Sequence, residues 1–193
     1  MRTLQLDLAT LMTRRQLLIY IALPFSYIVT GLLGLLVAIP PGYATPVFLP
    51  AGLAITATYV AGASALPVTF LGSFLLNLWI GYYLTAAGNH LTQIVSALII
   101  AAGSTTQAAI GGAALRRTTG YPAPFEKPSE ILLFFLVAPI LCLTSATLSL
   151  GSLWALGVVQ LPELPMNWVM WWLGDTFGVL VALPLMIWLA HEP

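Results

Sequence analysis

Residues 171–180 read WWLGDTFGVL, and the chain continues VALPLMIW through residue 188. Within this stretch a single side chain, Asp175, is acidic, and every neighbour is apolar, small or a hydroxyl. The apolar run that contains it extends over residues 165–191, long enough as a helix for a hydrocarbon core of about 30 Å, which takes about 20 residues. The run therefore reads as a transmembrane helix with one carboxyl group inside it.

The rest of the sequence has the same character. Hydrophobic residues make up 60% of the 193 and charged residues 6%, against about 25% charged in ordinary soluble domains, and mean hydropathy is +0.98. Apolar runs recur to the end, which does not fit a cleaved leader ahead of a polar mature chain. The formal net charge is zero with six basic residues, too few for the basic stripe that nucleic acid needs. A single cysteine, Cys142, allows no intrachain disulfide and no cysteine-based metal cluster, and reads as packing.

Six runs of spanning length separate at Pro, Gly or charge, over residues 16–39, 46–65, 67–84, 91–115, 129–158 and 165–191. The expected fold class is an all-α polytopic transmembrane helical bundle of six spans, with Pro139 a kink in the longest. All six basic residues fall on one side. Arg2, Arg14 and Arg15 precede the first run; Arg116, Arg117 and Lys127 lie between the fourth and fifth. Lys and Arg mark the cytoplasmic side, so both termini are expected there. Tyr43, Trp79, Tyr82, Tyr83, Trp154 and Trp168 fall at the opposite ends, with Tyr20 and Trp188 toward the inner face, as in interfacial aromatic belts. The loop RRTTGYPAPFEKPSE is too short to be a domain. The two halves share no motif, so a duplicated transporter half is not supported.

Intramembrane charges are costly and face a bundle interior or a wet cavity. Asp175 lies roughly 15 Å along its helix from Pro165, close to the midplane. Asn77 is expected at similar depth, Gln107 nearer the cytoplasm, and Thr144, Ser145 and Thr147 add hydroxyls in the fifth run. With every Lys and Arg at one edge, and His90 and His191 at opposite ends of spans, Asp175 has no basic partner within the chain. Three states are open to it: protonated and donating to an amide such as Asn77 or Gln107, ionised in a hydrated cavity, or paired with a cation from outside. It can also simply join helices, for about 1 kcal/mol. Trp171 and Trp172 precede it by four and three residues, on the same side of the helix, and could add a cation-binding aromatic surface or plain packing.

Gly174 and Gly178 form G-x-x-x-G, and Ser104, Ala108 and Gly112 a second small-residue stripe. Both favour close helix approach within the chain over a homodimer. Pro50 and Gly52 fall in the first turn of the second run. Pro184 falls inside the sixth and frees the carbonyl of Leu180, which predicts a kink. No second intramembrane carboxylate, no Ser–His pair and no H-E-x-x-H is present, so catalysis by this segment is not expected. No cofactor or metal is expected either.

Taken in order, FLPAGLAITA, LGSFLLNLWIG, GSTTQAAIGGAALRR, LTSATLSLG and WWLGDTFGVLVALPLMI resemble the first class of membrane-associated sensor domains. These are integral-membrane input modules of bacterial histidine kinases, diguanylate cyclases and phosphodiesterases. The last stretch is the most specific, with Trp172, Gly174, Asp175, Gly178 and Pro184 in the family's register. Two departures stand out. Leu49 precedes Pro50 where such domains commonly have Trp, and the family is usually described with about eight spans. The resemblance implies a sensory input domain of the bacterial inner membrane, in a two-component or cyclic di-GMP pathway. It implies a cytoplasmic output module in the same polypeptide, for which residues 1–193 would be the sensor core, and an unidentified small ligand or proton. Candidate ligand-binding residues are Asp175, Asn77, Gln107, Trp172 and Trp171; candidate relay residues are Gly174, Gly178 and Pro184. A small-molecule transporter, or a docking module for another membrane protein, would also suit a polar site among membrane helices.

Overall fold

The computed structural model describes residues 14–38, 45–85, 89–118 and 125–191, without the side chains of residues 14–19, 84–85 and 190–191. Arg2, Tyr43 and residues 119–124 of the basic loop lie outside the described residues. The described residues contain no strand and form six α-helices: α1 (Arg14–Leu35), α2 (Leu49–Ala61), α3 (Leu66–Ile80), α4 (His90–Thr118), α5 (Pro128–Ala155) and α6 (Leu164–His191). A 3-10 turn, Gly62–Ala65, joins α2 to α3, and a π turn, Gly81–Thr85, ends α3.

The outer surface is as apolar as the core, and a set of polar side chains is buried within it. Ile21, Phe25, Leu36, Leu132, Ile140 and Trp188 are exposed, while Asp175, Gln107, Gln93, Asn167, Ser145 and Ser149 are buried. In water this distribution would be unfavourable; in lipid it is the stable one, because polar groups find partners only within the protein. Most helix hydroxyls satisfy themselves: Thr56, Thr58, Thr69 and Thr105 each donate to the carbonyl four residues earlier, at 2.7–2.9 Å. The protein is a multi-pass membrane protein.

Four helical stretches are long and apolar enough to cross a membrane: Leu49–Tyr83, His90–Thr118, Pro128–Ala155 and Leu164–Leu189, with a shorter apolar helix at Tyr20–Leu35. The first of these contains both α2 and α3, of 13 and 15 residues. The chain reverses between them. Ile55 meets Gly111 and Thr58 meets Gly112, so α2 runs parallel to α4; Ser73 bonds Ser104 and Gly81 packs on Gln93, so α3 runs antiparallel to it. Gly62, at φ 71°, makes this reversal, in backbone space that glycine enters at little cost. Arg116 closes the same end by donating from Nε to the Tyr59 carbonyl at 2.5 Å, a cation placed where helix carbonyls run out of partners.

The fifth helix stops at Ala155, three residues before the boundary expected from hydrophobicity. Gly157, also at φ 71°, sits beyond its end. There the amide of Val158 reaches the Leu153 carbonyl at 2.9 Å and that of Gly157 reaches Trp154 at 2.9 Å, the paired bonds of a Schellman cap. Hydropathy does not register this stop because Leu156, Val158 and Val159 are as apolar as the helix.

α4 packs against α2, α3 and α5; α6 packs against α2 and α5; α1 covers α2 and α3. Two small-residue faces make these packings close. Gly111 and Gly112 admit Ile55 and Thr58 of α2, while Gly174 and Gly178 admit backbone rather than side chains. A Cβ at Gly174 would fall on the Thr45 carbonyl, and one at Gly178 on the Phe48 carbonyl. The G-x-x-x-G face of α6 is therefore occupied by the chain's own residues 45–48. Phe48 N–H donates to the Gly174 carbonyl at 2.9 Å, and Gly52 of α2 faces Gly178 and Ala182 below.

Gly178→Ala should therefore cost about 1–3 kcal/mol by overpacking. Gly151→Ala, where an added Cβ meets nothing within 4 Å, should leave stability level or raise it by up to about 1 kcal/mol through helix propensity. Thermal unfolding of both variants in the same lipid nanodiscs measures the difference.

Candidate functional site

Asp175 faces inward from the middle of α6 and is 2% exposed. The side chains of Ser145 on α5 and Gln107 on α4 lie within reach of its carboxyl group. Those two are themselves fixed: the Gln107 amide oxygen accepts the Ser145 backbone N–H at 3.2 Å, and the Trp171 indole N–H reaches Ser145 Oγ at 3.3 Å. No basic side chain approaches Asp175 among the described residues. Arg116 points to the Tyr59 carbonyl at the end of α2, and Arg117 and Lys127 are exposed.

Beside the carboxyl group lies a cavity of about 30 Å³, room for about two waters. Asp175, Trp171, Asn77, Ser104, Thr45 and Phe48 are among its lining residues. Asn77 is aimed by its own helix: its Nδ2 donates to the Ser73 carbonyl at 2.8 Å and to Ser73 Oγ at 3.3 Å, while its amide oxygen makes no hydrogen bond among the described residues. Thr45 Oγ1 donates to the Gly34 carbonyl at 2.8 Å, tying the extended residues 45–48 to α1. Phe48 meets Tyr27 edge to face at 6.1 Å. Tyr27 is completely buried beside Ser73 and Ser104, and its hydroxyl makes no hydrogen bond of good geometry among the described residues.

Five residues were singled out from sequence for ligand binding. The fold brings Asp175, Asn77 and Trp171 to one cavity, and places Gln107 behind Asp175 as a hydrogen-bonding support. Trp172 is not brought there. Its indole N–H donates to the Pro139 carbonyl of α5 at 2.8 Å, and its ring stacks on Trp168 at 6.2 Å. Both indoles bond α5, Trp171 at Ser145 beside the cavity and Trp172 at Pro139, six residues earlier along that helix. Of the three hydroxyls in α5, Ser145 meets Asp175, whereas Thr147 accepts the Trp168 indole at the surface, at 3.2 Å. Of the relay candidates, Gly174 and Gly178 carry residues 45–48, and Pro184 lies within α6.

Sequence reasoning missed Thr45, Phe48 and Tyr27. Tyr27 shows no sequence signal beyond being an aromatic hydroxyl in the middle of an apolar run. Thr45 and Phe48 precede the second helix and look like a connector. The only hint was the pair of glycines opposite, which implies that something without room for a side chain approaches them.

With the arrangement described, comparison with known proteins adds the family. A family model, MASE1, matches residues 17–192. The chain belongs to the MASE1 family. The match takes in all six helices and the cavity between them, and it makes this a membrane sensory input domain. No curated protein and no solved structure matches the chain significantly.

Gln107→Leu should strip both Asp175 and the Ser145 amide of a partner in a buried setting, where each unmet group costs about 1–3 kcal/mol. Gln107→Glu, which keeps an acceptor for Ser145 N–H, places a second carboxyl beside the first. Both variants are expected to unfold at lower temperature than the parent, and Ser104→Ala, at the cavity wall, is expected to stay close to it. Circular dichroism melts in detergent test the order.

Proposed function

We propose that this MASE1 domain senses a small ligand or proton in the cavity at Asp175 and passes the change through α6 to a cytoplasmic output module of the same polypeptide. The observation that carries this reading is the double contact of α6. On one face it presents Asp175 and Trp171 to the cavity; a turn away, Gly174 and Gly178 hold residues 45–48, whose Thr45 and Phe48 line that same cavity. Filling the cavity therefore bears on α6 directly and on the segment docked to it. A ligand shifts α6 only if it binds one packing of these parts more tightly than another.

Asp175, Asn77 and Trp171 contact the ligand in this proposal, and Gln107 and Trp172 position them. Pro184 leaves a carbonyl of α6 without its helical partner, which makes the end of α6 the compliant part. The arrangement in the membrane is six crossings with both termini cytoplasmic, in the bacterial inner membrane. Supporting it, the helices alternate in direction. Trp79, Tyr82, Tyr83, Trp154 and Trp168 gather at one end of the bundle, and Arg116, Arg117 and Lys127 at the other. The output module in this proposal is a histidine kinase or a cyclic di-GMP enzyme, the classes that the sequence resemblance implies.

Two experiments test this. Asp175→Asn and Asp175→Ala in the complete receptor are expected to change output severalfold without loss of the protein from the membrane; output unchanged across stimuli and pH sinks the sensing role. For topology, single cysteines replacing Gly157 and Lys127 in a Cys142→Ala background should react with an impermeant maleimide from outside and only after permeabilisation, respectively. The opposite pattern inverts the orientation.

A further inference from the structure

A second lobe adjoins the cavity at Asp175. It measures about 50 Å³ and shares Asn77, Ile80, Ile100 and Trp171 with the first, then extends toward the aromatic end of the bundle, where Gln93 and Ser96 of α4 line it. Gln93 and Ser96 are each 8% exposed, and the Gln93 amide oxygen and Ser96 hydroxyl are buried without a hydrogen-bond partner among the described residues. Buried polar atoms are usually hydrogen-bonded, so these two are available to whatever occupies the lobe. The π turn Gly81–Thr85 lies against this lobe, with Gly81 packed on Gln93.

The chemistry of the two lobes is one-sided. At the inner end stands a carboxyl group with no cation near it among the described residues. In the middle is the Asn77 amide oxygen, which makes no hydrogen bond among the described residues, while Nδ2 is held by Ser73. At the outer end is the Gln93 amide oxygen, with Ser96 Oγ beside it. The walls between them are Ile80, Ile100 and Trp171. A row of hydrogen-bond acceptors joined by apolar walls, with its negative group innermost, complements a ligand that has donors at both ends, an alkyl middle and one positive end. The combined space suits roughly five or six waters, or a linear chain of about as many heavy atoms.

We infer that the two lobes form one binding site for a linear primary amine carrying a second N–H or O–H donor. Its ammonium group lies between Asp175 and Asn77, its alkyl chain along Ile80 and Ile100, and its far donor at Gln93. Trp171 flanks the ammonium, where an indole face adds cation–π attraction. The Coulomb attraction to Asp175 is strong because little water screens it. Entry is from the aromatic end, since Gln93 and Ser96 lie in the first turns of α4. This assignment names the ligand class for the site proposed above and rests on that site being the sensory one.

The test uses the complete receptor in lipid nanodiscs, with binding of 1,4-diaminobutane and 1,6-diaminohexane measured by calorimetry at fixed ionic strength. Sodium chloride and 1-butanol serve as the inorganic-cation and neutral-chain controls. Saturable binding of a diamine is expected, weakened about tenfold to hundredfold in Asp175→Asn, the range for losing a hydrogen bond to a charged group. Asn keeps the size and hydrogen-bonding capacity of the side chain, so the fold is expected to survive. Gln93→Leu, remote from Asp175, is expected to weaken the diamines severalfold while leaving 1-butylamine unchanged. No saturable binding, or equal binding by parent and Asp175→Asn, overturns the amine assignment. So does sodium binding that competes at equal concentration. Output is read in parallel. If Asp175→Asn changes output but no diamine binds, the sensory reading stands and the amine assignment falls. If diamines bind through Asp175 and output never responds, the amine site stands and the sensory reading falls.

Discussion

The structure depends on one contact between backbones: residues 45–48 lying in the glycine groove of α6, with Phe48 N–H bonded to the Gly174 carbonyl at 2.9 Å. An extended segment at the depth of a membrane helix has unpaired amides and carbonyls, and hydrocarbon offers them nothing. It persists only against protein, and only where no side chain intervenes. Gly174 and Gly178 provide that gap, and Thr45 completes it by bonding the Gly34 carbonyl of α1. With the segment held there, α2 starts deep enough for Gly52 to meet Gly178, and a space remains between Phe48, Asn77 and Asp175.

That space is polar because of how each polar residue is used by its neighbours. Gln107 spends its amide on Ser145 and Asp175, Trp172 spends its indole on Pro139, and most threonines turn back on their own helices. What is left over is a set of acceptors directed at the void. The site is thus a residue of the packing, made of the groups that the helices do not consume among themselves. A site of this kind is sensitive to small shifts of α6, since α6 supplies both its charge and the surface that seats its neighbouring segment.

Several features were legible before any coordinates. The apolar runs gave the number and order of the helices within a few residues, and clustering of Arg and Lys against aromatic residues gave an axis with two unlike ends. Asp175 stood out because nothing in the sequence could neutralise it. The pairing of Gly174 with Gly178 announced a close approach and left its partner unnamed. The end of α5 at Gly157 and the reversal at Gly62 were not legible. Glycines with positive φ look the same in a sequence as the glycines that sit inside these helices.

The sequence by itself determined that this chain is helical, lipid-embedded and carries one ionisable group at an interior point, because those properties follow from hydropathy and residue type, which are local. Only the tertiary structure decided that Asn77 and Trp171 share a cavity with Asp175 while Trp172 does not. It alone decided that a connector forms one wall and that the Gln93 amide oxygen has no partner among the described residues. Those outcomes turn on which neighbouring helix claims each hydrogen bond, and that choice exists only once the helices are packed.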